Sequence, residues 1–145
     1  MLCIPRIRTR FFGSAIAENT ILSPSMQPKA LVVDLGTNNF YDDKRSTADT
    51  ASDLQRLFTL MHDRMPDTHI YYFSIAQRLD TAFAGNVSAV NDRMEEWCNY
   101  KDWITFIDVE DMVTTDKLRD DHVHPLPETY RDIYLPALRA AGWEG

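Results

Sequence analysis

The stretch Leu31-Val32-Val33-Asp34-Leu35-Gly36-Thr37-Asn38-Asn39 decides the fold. Its first six residues are a nearly continuous apolar run broken by one acid. A run this short reads as a strand buried on both faces of a parallel sheet. Gly36 ends it, and Thr37-Asn38-Asn39 is turn chemistry, so polar groups are delivered at the carboxyl end of a buried strand. Two later runs repeat the pattern. His69-Ile70-Tyr71-Tyr72-Phe73-Ser74-Ile75 is aromatic-rich, and Trp103-Ile104-Thr105-Phe106-Ile107-Asp108-Val109 follows the next helical segment. Both read as strands.

Between these runs the period changes from strand to helix. Ser46 caps a segment with Asp49 three residues on, and Ala51, Leu54, Leu57, Phe58, Met61 and Met65 recur at helical spacing until Pro66 stops it. Asn86 introduces a second helix with Val87, Val90, Met94, Trp97 and Cys98 on one face. Pro127 starts a last helix with the stripe Tyr130, Ile133, Tyr134, Ala137, Leu138 and Ala141, and a kink is expected at Pro136, off that stripe. Upstream, Arg6-Ile7-Arg8-Thr9-Arg10-Phe11 alternates as an edge strand after Pro5, in preference to a basic nucleic-acid arm, because its charges have no aromatic interleaving. A short helix is expected over residues 15–22, ending before Pro24. Strands alternating with helices imply right-handed crossovers and an α/β fold with a parallel sheet covered on both faces.

Length and composition bound the function. At 145 residues, with 44% apolar and 26% charged residues, the chain is sized for one ordinary globular domain, read as a single unit over 1–145. The net charge of −7 argues against a nucleic-acid binder. Five glycines, Gly13, Gly36, Gly85, Gly142 and Gly145, leave no room for a GxxxxGK phosphate loop or a GxGxxG dinucleotide turn. Cys3 and Cys98 are isolated thiols without metal-ligand spacing, so neither a disulfide framework nor a zinc knuckle is expected. No apolar run is long enough to span a membrane, and residues 1–12 lack a signal-peptide core, so the chain as given is expected to be cytoplasmic. No cofactor and no metal are called for.

Four features converge on the strand ends: Gly13-Ser14, Gly36-Thr37-Asn38, Ser74, and Asp120-Asp121-His122-Val123-His124-Pro125. Each alone has an ordinary explanation as a turn, a cap or a solvated loop. Asp121 and His124 are the most informative pair. Three residues apart across a turn, the carboxylate can accept the imidazole Nδ1 proton and leave Nε2 facing a reacting group, which supplies a general base and its orienter. The Asn38 amide and the unobstructed Gly13 N–H suit an oxyanion hole. Ser14, Thr37 and Ser74 are candidates to line the substrate.

In this arrangement the sequence resembles the SGNH, or GDSL-type, ester hydrolases. Phe12-Gly13-Ser14-Ala15-Ile16 is similar to that family's second block, Leu35-Gly36-Thr37-Asn38-Asn39 to its third, G-x-N-D, and Asp121-His122-Val123-His124-Pro125 to its fifth, D-x-x-H-P. The resemblance implies a flavodoxin-like three-layer α/β/α fold of strand order 2-1-3-4-5, with Gly13 and Asn38 in the oxyanion hole, His124 as base and Asp121 as its orienter. It also implies a small-molecule ester as substrate. Asn39 replaces the usual Asp, from which weaker loop packing is expected.

The family's first block, Gly-Asp-Ser with the nucleophile, has no counterpart: no Gly-Asp dipeptide occurs anywhere. The expectation is an N-terminally truncated domain lacking the first central strand and helix, inactive in isolation, with unpaired sheet edges open to self-association. A leader could lie in the missing portion. Ser14 is a poor substitute nucleophile, because it follows the oxyanion glycine and competes with substrate for space. Two other readings stand beside this one: a metal-dependent phosphohydrolase holding Mg²⁺ through Asp34, Asp108, Glu110, Asp111 and Asp121, and a non-catalytic assembly module.

Overall fold

A computed structural model describes residues 27–41, 44–77 and 83–145. The expected edge strand at residues 6–11 and helix at residues 15–22 lie outside the described residues. Within them, β1 (Ala30–Asp34), β2 (His69–Phe73) and β3 (Ile104–Ile107) form a parallel sheet in that order. Leu31 pairs with Ile70, and Ile70 with Ile104.

The pleat sorts these strands into two cores. Leu31, Val33, Ile70, Tyr72 and Ile104 join a cluster with α2 (Thr47–Arg64) and α3 (Ala84–Asn99). Phe73 and Ile107, with Val32 and Tyr71, pack on the other side against the C-terminal helix. Both faces are covered, which is why the strands read as apolar runs instead of alternating with polar residues. This is the three-layer α/β/α arrangement of the SGNH hydrolases. Among the described residues no helix is long and apolar enough to cross a membrane.

The helices follow their sequence signals closely. Ser46 Oγ accepts from Asp49 N–H at 3.1 Å to start α2, and Met65 closes it before Pro66 with its N–H on Met61 C=O. α3 begins at Ala84, two residues before the expected Asn86, and buries Val87, Val90, Met94 and Cys98. Burial pushes the Cys98 thiol up to about 12, against the pull of Lys101, so it packs as an inert apolar group. The last helix, α4, is composite: α over Pro127–Thr129, π over Tyr130–Tyr134 and α again over Leu135–Ala140. Pro136, where a kink is expected, stands just after the π segment. The proline has no N–H to offer and its ring would crowd the carbonyl four residues back; the wider π turn accommodates this, with Leu135 N–H reaching Tyr130 C=O. Tyr134 stays buried against Phe73, ring centroids 4.7 Å apart.

All three strands stop short of the apolar runs that announce them, and beyond β1 and β2 side chains bond the departing backbone. Beyond β1, the Tyr72 hydroxyl donates to Leu35 C=O at 3.2 Å. Beyond β2, Asn91 of α3 accepts from Ile75 N–H at 2.8 Å and donates to its C=O at 2.9 Å, as a neighbouring strand would. Asn91 also donates to Glu110 at 2.6 Å, as does Gln77. The Ser88 hydroxyl donates to the same carboxylate.

Gly36 lies where β1 turns away from the sheet. Its φ of +124° suits only glycine, and a Cβ there would sit 2.5 Å from Ile75 Cδ1. Gly36→Ala is therefore expected to destabilise the fold by about 2–4 kcal/mol, from overpacking together with backbone strain. The shift in denaturation midpoint at unchanged m-value measures it.

Candidate active site

The segment after β3 builds a closed loop from local bonds. Leu118 bridges Pro125, Arg119 N–H donates to His124 C=O at 2.7 Å, and Leu126 N–H donates to Lys117 C=O at 2.9 Å. Inside this clasp His122 takes the left-handed conformation, φ +58°, with its N–H on Arg119 C=O. The chain therefore curls around the Asp121 carboxylate. Oδ1 accepts from Val123 N–H at 2.9 Å and from His124 N–H at 3.0 Å, and Oδ2 lies 2.6 Å from His124 Nδ1.

These bonds hold the Asp121 carboxyl well below the usual carboxylate range: the His124 backbone N–H acts most strongly, then the imidazole, then the Val123 N–H. A carboxylate so depressed contributes its stabilisation above the unfolded-state range and loses it on strong acidification. Both side chains are exposed, so the imidazole can meet a ligand while its Nδ1 is engaged. The loop faces the end of β1. Asp34 feels the charge of His124, and although its surface is accessible, surrounding protein desolvates it enough to push its carboxyl up to about 6.

Asn38 and Thr37 lie in the first turn of α1 (Thr37–Tyr41), which starts directly from the carboxyl end of β1. The expected turn at residues 37–39 is thus the opening of a short helix, closed by Asn39 N–H on Gly36 C=O at 3.1 Å. Gly13 and Ser14 lie outside the described residues. Ser74 is wholly buried, and its Oγ accepts from Val109 N–H at 2.8 Å. It ties β2 to the segment after β3 and presents no surface to a substrate, contrary to the expectation that it lines the site.

Asn39, which replaces the usual Asp, turns inward. It is buried, its amide donates to Asp53 Oδ2 at 3.4 Å and its C=O accepts from Arg45 N–H at 2.7 Å. Arg45 in turn grips Asp53 with two prongs, Nε to Oδ2 at 2.9 Å and Nη2 to Oδ1 at 3.0 Å. Asp53 and Asn91 were not singled out from sequence. The available signal was a polar residue set within the buried stripe of each helix, beside Leu54 and Val90 respectively.

The carboxylates considered for a metal are dispersed in other work. Glu110 is taken by Gln77, Ser88 and Asn91, and Asp108 accepts from Glu110 N–H at 3.0 Å. Among the described residues no three His, Cys, Asp or Glu side chains gather to hold a cation.

Comparison with known proteins decides the family. The profile of the GDSL-like lipase/acylhydrolase family matches residues 6–131, most of the chain. The chain belongs to that family. Among solved structures, it is similar to a carbohydrate esterase family 3 protein from Talaromyces cellulolyticus, at 20% identity and TM-score 0.69, covering 87% of this chain and 66% of that one. A mutant acetyl-xylooligosaccharide esterase from Geobacillus Stearmophilus aligns at 15% identity and TM-score 0.66, over 94% of this chain and 68% of that one. An extracellular lipase from Streptomyces rimosus gives 13% identity and TM-score 0.62, over 89% and 77%. The 145 residues span just under two thirds of the first of these. A search of curated proteins returns no match.

The Asp121–His124 contact has a direct spectroscopic consequence. With a carboxylate at Nδ1, the neutral imidazole should carry its proton there. In Asp121→Asn an amide N–H can donate to Nδ1 instead, and the neutral ring is expected to move toward the Nε2–H tautomer. Imidazole ¹⁵N shifts at a pH where the ring is neutral distinguish the two; an unchanged tautomer would show that Asp121 does not set it.

Proposed function

We propose that this chain carries the base side of a carboxylic ester hydrolase working through an acyl-enzyme, with His124 as general base and acid, Asp121 as its orienter, and the Asn38 side chain and Gly13 N–H as oxyanion donors. The observation that carries the reading is the 2.6 Å contact between Asp121 Oδ2 and His124 Nδ1, on a loop where Asp121 is also bonded to two backbone N–H groups. The nucleophilic serine belongs to a segment beyond these 145 residues, and the chain alone is inactive.

The steps follow from proton bookkeeping. The serine oxygen attacks the ester carbonyl carbon as its proton passes to His124 Nε2. The negative charge on the former carbonyl oxygen is met by the Asn38 and Gly13 donors. Collapse breaks the bond to the alcohol, which leaves with the proton from Nε2. Water then repeats the sequence on the acyl-enzyme, releasing the acid and restoring the serine. Asp121 remains ionised throughout and stabilises the imidazolium. Esters of short acyl groups, acetyl esters of carbohydrates foremost, are the proposed substrates. One structural neighbour is described as a carbohydrate esterase and another as an acetyl-xylooligosaccharide esterase, which supports this choice.

Two measurements test this. A serine-directed fluorophosphonate is expected to leave the 145-residue chain unlabelled and to label a longer product of the same gene at a serine upstream of Gly13; stoichiometric labelling at Ser14 would sink the reading. In the longer product, p-nitrophenyl acetate turnover should vanish in His124→Ala and kcat should fall roughly 10²-fold in Asn38→Ala. An Asn38 variant with unchanged kcat removes that residue from the oxyanion hole.

A further inference from the structure

The segment that presents Asn38 is too short to hold its own shape. α1 has five residues, well below the length at which a helix persists unaided, so its direction must be imposed by bonds to something else. Those bonds come from Asp53 of α2 and from Arg45, just before it. Asn39, the residue after the proposed oxyanion donor, is held at both ends: its side-chain amide donates to Asp53 Oδ2, and its carbonyl accepts from the Arg45 backbone N–H. The Arg45 guanidinium closes the figure by clasping both oxygens of Asp53.

Asp53 is 8% exposed and occupies a core-facing position of α2 beside Leu54 and Leu57. A carboxylate at such a place is costly to desolvate, and an apolar pair at positions 45 and 53 would serve packing at least as well. Its side-chain partners named above, Asn39 and Arg45, lie at the end of α1 and in the approach to α2.

We propose that Asp53 is a positioning residue for the oxyanion side of the site: through Asn39 and Arg45 it fixes the first turn of α1, and with it Asn38, against the carboxyl end of β1. This rests on the reading of Asn38 as an oxyanion donor and adds how that donor is held.

The test is residue-resolved amide hydrogen exchange with side-chain amide spectra, on the 145-residue chain. Two variants are compared with the parent: Asp53→Asn, which removes the charge, and Arg45→Met with Asp53→Leu, which replaces the ion pair by apolar packing and guards against unfolding by an unpaired Arg45. In both, exchange at the Asn39 and Arg45 amides should rise about tenfold or more while Leu57 and Phe58 of α2 change less than about twofold. The Asn38 side-chain NH₂ resonances should shift at the same time.

A uniform rise across α2 and the α1 turn would reduce Asp53 to a general stabiliser and overturn the proposal. So would unchanged exchange at Asn39, or an Asn38 resonance that stays in place when Asn39 loosens. Exchange does not depend on ester turnover, so failure of the hydrolase reading, judged by phosphonate labelling and turnover, is distinguishable from failure of this one.

Discussion

The close approach of Ile75 to Gly36 is the constraint on which the path from β1 into α1 depends. Where a Cβ would collide, the end of β2 can lie directly against the point where β1 leaves the sheet. The Ile75 backbone is held in place, because both its polar groups are taken by the Asn91 amide, and Asn91 is itself bonded to Glu110. One residue earlier, the Tyr72 hydroxyl holds Leu35 C=O; burial and the nearby Asp34 charge raise its pKa well above the ordinary range, so it remains a donor. The position of α1 is thus traced through named contacts to α3 and to the segment after β3. A backbone fixed this way can aim a donor without relying on loop packing.

The two halves of the candidate site are built by opposite means. The Asp121–His124 loop is made almost wholly of bonds between residues a few positions apart, and it is largely exposed. Its geometry is a property of the local sequence, including the left-handed His122, which costs strain that the clasp around it sustains. The α1 turn instead depends on Asp53, Tyr72 and Ile75, all distant in sequence. Damage to the α2–α3 layer should therefore reach the α1 turn first and leave the Asp121–His124 contact intact.

That difference also governs what the sequence could reveal. The Asp121 and His124 pairing was legible because its geometry is encoded in a spacing of three, and the Ser46 cap and the apolar stripes were legible for the same local reason. The strand ends were overestimated because apolar residues continue past the last paired one. What bonds the departing backbone is a side chain from elsewhere, Asn91 or Tyr72, invisible to periodicity. Ser74 misled for a related reason: a polar residue at a strand end signals either a surface or a buried bond, and only Val109 N–H settles which. The partner of Asn39 could not be read from its own block, because the carboxylate it meets comes from α2.

The proposed base and its orienter are held without reference to a nucleophile. Asp121 is ionised and oriented by backbone N–H groups of its own loop, and the His124 ring is engaged at Nδ1. A serine supplied by another segment would then meet a base whose tautomer and direction are already fixed, so its arrival need organise only its own oxygen. That separation has an energetic side. Catalysis by such groups depends on preorganisation more than on the number of contacts. Here the organising bonds lie within the 118–126 loop and the α1–α2 clamp, neither of which uses the nucleophile to hold its shape.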